Sequence, residues 1–382
     1  MSDPNQVDPK IQPLENVIRE QIQAQHGMIS FAQFMQSALY EPALGYYMVN
    51  DPIGTDADFI TAPEISPIFA ACLARQCMQM FEHGVPVRIL EFGGGTGRLA
   101  VGVIKYLLHM QIQIEQYSIL EISPRLRQRQ QQLIQSALPQ TQYRVNWLDE
   151  LPTRFQGIML ANEVVDAIPV NLFEINSHGL SERTVKLDSN QFAWGNRLPA
   201  PDLAPYLEAI KVQHHLEAPY VSEYHFLTHA WLRSAADSLH QGVLFIIDYG
   251  FPAREYYHQQ RHQGSLICHH RHRAHDNPFI QIGQQDITAH IDFSALANTA
   301  LTSNLELAGY TSQAYFLIGN GMEQVIAQLH SGNIKEDMLL QRSAITLSFP
   351  HEMGELFKVI AFAKGVACSL NGFSWFDHRH KL

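Results

Sequence analysis

The sequence predicts an α/β protein built on a doubly wound, open, mostly parallel sheet, and three observations carry that expectation. Val87-Arg88-Ile89-Leu90-Glu91-Phe92 has the apolar content of a strand buried on both faces. It runs directly into Gly93-Gly94-Gly95-Thr96-Gly97, and then into a segment with Leu99, Val103, Ile104 and Leu107 at helical spacing. Further apolar runs end in acids: Tyr117 to Glu121, Gly157 to Ala161 with Glu163 just beyond, and Gly242 to Asp248. Strand, glycine turn and helix make the nucleotide-cradling unit of open α/β sheets, whose ligands lie beyond the carboxyl ends of the strands.

Along the chain, Ile11 to His26 reads as a helix with Leu14, Val17, Ile18 and Ile22 on one side, stopped by Gly27. Ser30 and Gln33 form a capping box for a helix bearing Phe34, Met35 and Leu39. A turn rich in aromatics, Tyr40 to Tyr47, either roofs the core or lines an entrance. Ser66 and Pro67 start the helix Ile68 to His83, and Ser123 and Pro124 start another. Tyr143 to Leu148 is a strand candidate. From Pro169 the pattern changes: Val170 to Ile175 and Arg183 to Leu187 alternate like strands, followed by a proline-rich run to Pro205. This stretch predicts a small β-rich lobe inserted at about 170–222. Glu223 to Gln241 then reads as a helix, and Gln313 to Ile318 and Phe357 to Ala363 as the last strands. The latter is expected to be the antiparallel edge of a seven-stranded sheet. The expected division is an N-terminal helical segment, 1–84, packed on a core domain, 85–382.

The formal charge is -11 and the pI near 6.0, so there is no basic field for nucleic acid and none is expected as a partner. Four cysteines without close CxxC pairing suit a reducing compartment. The first residues lack an apolar signal core and are not of the Arg-rich transit type. No run approaches ~18 apolar residues, so no membrane span is expected and a cytoplasmic location follows. Six of the 20 histidines fall between His258 and His275. Their spacing matches no common metal pattern and Arg271 and Arg273 are interleaved, so no metal is expected.

The glycine turn narrows the ligand. Counting from Gly93, the sixth position of a dinucleotide fingerprint is Arg98. Counting from Gly95 it is Ala100, an accepted variant, so spacing alone leaves a nicotinamide oxidoreductase open. No Gly-Lys-Ser/Thr follows, against a phosphate-loop NTPase. Glu91-x-Gly93-x-Gly95-x-Gly97 is similar to the first motif of class I S-adenosylmethionine-dependent methyltransferases. Glu121, 24 residues past Gly97, is placed to accept the hydroxyls of a ribose. Asn162-Glu163-Val164-Val165-Asp166 closes the strand beside that turn, where reacting groups are placed in an open sheet. Glu163 and Asp166 would share a face if the turn were helical. Thr61 and Glu64 precede the helix that leads into the glycine strand.

Together FITAPEIS, LEFGGGTG, LEIS, ANEVVDAIPV, DYG, RHRAHDNPF and DITAHIDF resemble the MidA-like family of S-adenosylmethionine-dependent methyltransferases, over roughly Ile29 to Phe293. That family includes the mitochondrial assembly factor of respiratory complex I. The resemblance implies a class I methyltransferase (Rossmann-like) fold with an added lobe and S-adenosyl-L-methionine as cofactor. It implies symmetric dimethylation of arginine in a protein substrate, with homodimerisation left open. Glu91, Gly93, Gly95 and Gly97 match its cofactor turn and Glu121 its ribose acid. Asn162, Glu163 and Asp166 match the motif facing the methyl donor, and Thr61, Pro63 and Glu64 its upstream motif, so the resemblance implies that Asn162, Thr61 and Pro63 help to bind the cofactor. Gly-Gly-Gly stands where Gly-Pro-Gly is usual. Glu163 and Asp166, with Glu64 third, are the candidates for gripping a guanidinium, since carboxylates match its planar fork. The competing expectation is an assembly factor that binds the cofactor without catalysis.

Overall fold

The computed structural model describes residues 11–50, 53, 60–139, 144–271, 273–367 and 369–382. Phe59 of the upstream motif, Tyr143, His272 and Cys368 lie outside the described residues, as do the first ten. The core is a sheet whose seven main strands are numbered in chain order. They are β1 (Arg88–Phe92), β2 (Gln116–Leu120), β3 (Val145–Leu148), β4 (Phe155–Asn162), β5 (Leu239–Phe251), β6 (Glu306–Ser312) and β7 (Phe357–Lys364). Their spatial order is β6-β7-β5-β4-β1-β2-β3. All neighbours are parallel except at β7, which runs antiparallel to both β5 and β6. The chain goes outward from β1 through β2 to β3, then returns to place β4 on the other side of β1. That reversal opens a crevice at the carboxyl ends of β1 and β4.

Both faces of the sheet are covered. Helices Pro67–Glu82 and Arg98–His109 bury Phe69, Leu73, Val103 and Leu107 against one face. Helices Phe226–Ser238 and Phe293–Thr302 bury Leu232, Ala236, Phe293 and Leu296 against the other. The buried Val, Leu and Phe side chains among them contribute about 1.5–3 kcal/mol each. The predicted caps are formed: Ser30 and Gln33 exchange both capping-box bonds, Ser66 accepts from Ile68 N, and Ser123 accepts from Leu126 N.

A second sheet of five strands contains Met28–Ser30, Asn171–Asn176, Gly179–Asp188, Gln191–Arg197 and Tyr220–Tyr224. Met28–Ser30 pairs with the centre of Gly179–Asp188, and Leu14, Ile18 and Ile22 pack with Val170, Leu172 and Val185. The N-terminal helices therefore rest on the inserted strands. The histidine-rich stretch supplies Ile267–His270 and Arg273–His275, which join Asp286–Thr288 in a three-stranded sheet.

Three expectations need correction. Glu223 lies in a strand rather than starting a helix: the helix is Phe226–Ser238, and β5 already begins at Leu239. Tyr220, Ser222, Glu223 and Tyr224 are all buried on that strand, so it carries no clean period-two signal and the following helical pattern obscures it. Gln313–Gly319 is a helix burying Ala314, Phe316 and Leu317, and the strand lies just before it as β6. Short apolar runs are ambiguous between the two states, and here Ser312 ends the strand. The edge of the sheet is consequently β6, with β7 one strand inside it.

Candidate active site

At the carboxyl ends of β1, β2 and β4 lies a cavity of about 340 Å³. Thr61, Pro63, Glu64, Glu91, Gly93, Gly95, Glu121, Asn162 and Glu163 all line it, so nine of the residues singled out in the sequence meet at one place. Gly97 and Asp166 are not among its lining residues.

The glycine turn makes the floor. Gly93, Gly95 and Gly97 have φ of 58°, 51° and 90°, the left-handed region that L side chains avoid. A Cβ on Gly93 would lie 3.0 Å from Val164 Cγ2, so the bend fits closely against the segment after β4. Gly97 serves from behind, as the N-cap of the helix Arg98–His109. The absence of side chains leaves backbone exposed to a ligand.

Two acids stand at either side of the bend. Glu91, on β1, is 2% exposed and accepts a 2.8 Å hydrogen bond from Tyr117 Oη. Burial pushes its carboxyl up to about 8 against the pull of the tyrosine bond, and nearby Glu121 adds to the rise. Glu121 accepts from Ser123 N and from Gln130 Nε2, both at 2.9 Å, and burial raises it too. Gln130 also donates to Gly95 O at 3.0 Å and accepts from Trp147 Nε1 at 2.8 Å. Gln130 thus locks the acid after β2 to the glycine turn. Nothing in the local sequence marks it, because its role comes from helix Pro124–Ala137 packing under the turn.

Glu163 is the least relaxed residue of the site. It sits at φ 53°, unusual for a residue other than glycine, with its N–H donating to Ile247 O at 2.9 Å. Its Oε1 accepts from Ala62 N at 3.1 Å and from Asn162 Nδ2 at 3.2 Å. Its Oε2 receives no hydrogen bond from any described residue, and Asn162 Oδ1 is buried without a hydrogen-bond partner among them. Burial pushes the Glu163 carboxyl up to about 8, opposed by the Ala62 N–H and aided by Asp166.

Asp166 does not share a face with Glu163, because residues 163–168 form an irregular turn and not a helix. Asp166 instead accepts from Tyr249 Oη and is itself buried. The turn is fastened from below by Asp248 at the end of the β5 core, whose Oδ2 accepts from Val165 N at 2.9 Å and Asp166 N at 3.2 Å. Asp166 is therefore structural in its contacts, which lie away from the cavity. Glu64 is also committed: it accepts from Thr96 Oγ1 and pairs with Arg98 Nε at 2.6 Å. Arg98, 34 residues away in sequence, is the cation that a reading of local neighbours misses.

Tyr40, Tyr47 and Trp231 complete the walls. Tyr40 and Tyr47 stack with centroids 5.5 Å apart, and their hydroxyls donate to Ala167 O and Asp286 Oδ1, both at 2.9 Å. The aromatic turn of the N-terminal segment is thus part of the cavity wall. Among the described residues no three His, Cys, Asp or Glu side chains converge to hold a metal ion, and no helix is long and apolar enough to cross a membrane.

Comparison with known proteins agrees with this geometry. A family model described as a putative S-adenosyl-L-methionine-dependent methyltransferase matches residues 72–311. A crystal structure from Burkholderia thailandensis, holding S-adenosyl-homocysteine, is 39% identical with a TM-score of 0.95, covering 100% of this chain and 99% of its own. The mitochondrial protein arginine methyltransferase NDUFAF7 of Danio rerio is 27% identical, covering 87% of this chain and 82% of that protein. Its Drosophila melanogaster homologue is 28% identical, over 89% and 82% respectively.

Proposed function

Because this chain belongs to the family of S-adenosyl-L-methionine-dependent methyltransferases, with the class I fold and that cofactor, we propose that its methyl acceptor is an arginine guanidinium of a protein. The observation that carries the proposal is the wall formed by Glu163, whose Oε2 receives no hydrogen bond from any described residue, and Asn162, whose Oδ1 is buried without a partner among them. An unpaired buried acceptor such as Asn162 Oδ1 is costly, and a planar cationic donor with several N–H groups suits both it and the carboxylate beside it. Two relatives named as protein arginine methyltransferases support the same acceptor. The extent of methylation, symmetric dimethylation by resemblance, is part of the proposal.

The residues fit the cofactor. The side-chain-free bend at Gly93 and Gly95 would hold its amino-acid part beside Glu91, and Glu121, fixed by Gln130, would hold its ribose. When bound, S-adenosyl-L-methionine supplies a methyl group on a sulfonium, ready for displacement. Glu163 and Asn162 then orient the acceptor, turning one guanidinium nitrogen toward the methyl and holding it in line. A guanidinium stays cationic at working pH and is a poor nucleophile, so a carboxylate beside it stabilises the charge that builds as the nitrogen is alkylated and accepts the proton that the alkylated nitrogen then gives up. Tyr40, Tyr47 and Trp231 exclude water around these groups.

The test is a transfer assay with methyl-labelled S-adenosyl-L-methionine and a hypomethylated cell lysate, followed by hydrolysis and mass spectrometry. Label in methylated arginine supports the proposal. Label confined to another amino acid or to small molecules would overturn it, while leaving the methyltransferase assignment intact.

A further inference from the structure

The short segment Ala62–Ile65 touches both halves of the site at once. At its far end Glu64, with its side chain 8% exposed, uses one oxygen for Thr96 Oγ1 in the glycine turn and the other for Arg98 Nε at 2.6 Å. At its near end the Ala62 N–H points at Glu163 Oε1, 3.1 Å away. Thr96 and Arg98 close the cofactor turn and begin its helix, whereas Glu163 follows the strand on the other side of β1. Only one residue, Pro63, separates the two contacts, and it is rigid in φ.

We propose that Glu64 is a positioning residue: it clamps the Ala62–Ile65 segment to the cofactor turn, and through that segment the Ala62 N–H holds Glu163 in its working orientation. This rests on the role proposed for Glu163 toward the acceptor. Glu64 does not grip the acceptor, since both its oxygens are already occupied. The clamp has an electrostatic signature that a general packing role lacks. The Ala62 N–H favours the charged form of Glu163, and its loss leaves burial and the neighbouring acids opposed by the Asn162 amide alone. The groups facing Glu163 are the Asn162 amide on its own strand, Asp166 on the following turn, and Asp248 on β5. Both charged neighbours are acids, so releasing Ala62 moves the Glu163 titration upward.

The experiment is a carboxyl 13C NMR titration of the full chain labelled at glutamate, with the Glu163 signal assigned from its loss in Glu163→Gln. The wild type is compared with Glu64→Ala, Arg98→Met and Glu64→Gln. The expected result is an upward shift of the Glu163 midpoint by about one pH unit in Glu64→Ala, from loss of one hydrogen bond to the charged form. A smaller upward shift is expected in Arg98→Met. In Glu64→Gln the amide oxygen keeps the contact with Thr96 but the NH2 cannot accept from Arg98, so a small upward shift like that of Arg98→Met is expected. An unchanged midpoint in Glu64→Ala overturns the clamp, as does a Glu64→Gln shift equal to that of Glu64→Ala. Titration calorimetry with S-adenosyl-homocysteine runs in parallel. Failure of the wild type to bind it counts against the cofactor site itself, and a bound but unshifted Glu64→Ala counts against the clamp alone.

Discussion

At the scale of single residues, the role proposed for Glu163 comes with a conformational cost. A left-handed φ, one anchored oxygen and one oxygen without a hydrogen bond from any described residue are features of a group held ready for a partner rather than of a core carboxylate. Only the charged form can grip a guanidinium, and burial has pushed its titration up to about 8. Methyl transfer should therefore rise as pH increases from about 6.5 toward about 8.5, as the carboxyl loses its proton. A pH profile of labelled-methyl incorporation that is flat over this range would contradict the assignment. Asn162→Leu, which removes the buried acceptor left unpartnered among the described residues, should lower transfer by ~10-fold while S-adenosyl-homocysteine affinity stays within a few-fold, read by calorimetry. Glu163, Asn162, Glu91 and Glu121 were all legible in the sequence because each follows or ends an apolar strand. The commitments of Glu64 to Arg98 and of Asp166 to Tyr249 were not, because those partners are distant in sequence.

At the scale of elements, the helix Pro124–Ala137 does more than cover the sheet. Through Gln130 it joins Glu121, Gly95 O and Trp147 into one network under the cofactor turn. Gln130→Leu approximately preserves the volume and removes the hydrogen bonds. It should weaken S-adenosyl-homocysteine binding by ~10-fold, matching one hydrogen bond to a charged group at about 1.5 kcal/mol, measured by calorimetry. Unchanged affinity would separate Gln130 from the site. The strand, turn and helix from Arg88 to His109 could be read from periodicity and glycine alone. The helix at Gln313–Gly319 could not, because seven apolar-rich residues satisfy either period until the neighbouring strand is known.

At the scale of the whole molecule, the site draws on the N-terminal segment, the cofactor turn and the strand end of β4, so its acids are dehydrated by folding itself. Glu91 and Glu163, both raised to about 8 from an ordinary 4.5, keep protons in the folded state that the unfolded chain has released. The folded state binds more protons over that interval, so unfolding free energy falls as pH rises. Buried His225 and half-buried His229 and His290, lowered to about 3, 4 and 4, act in the opposite sense but only below their ordinary 6.5. Denaturant midpoints of the ligand-free protein should therefore decline between about pH 6.5 and pH 8, and decline less in Glu163→Gln. A wild-type midpoint constant across that window would show that these acids are not dehydrated. The open α/β sheet was legible at this scale, from strands ending in acids. The seating of the first two helices on the inserted strands was not, since Met28-Ile29-Ser30 is too short to announce a strand.

The most direct measurement compares the wild type with Glu163→Gln in one assay, using saturating labelled cofactor and the same hypomethylated lysate, with methylated arginine counted after hydrolysis. Both proteins should bind S-adenosyl-homocysteine equally, and the variant should give a ~100-fold lower yield, as expected on losing one positioned electrostatic partner. Equal yields of methylated arginine from the two proteins would contradict a catalytic role for Glu163.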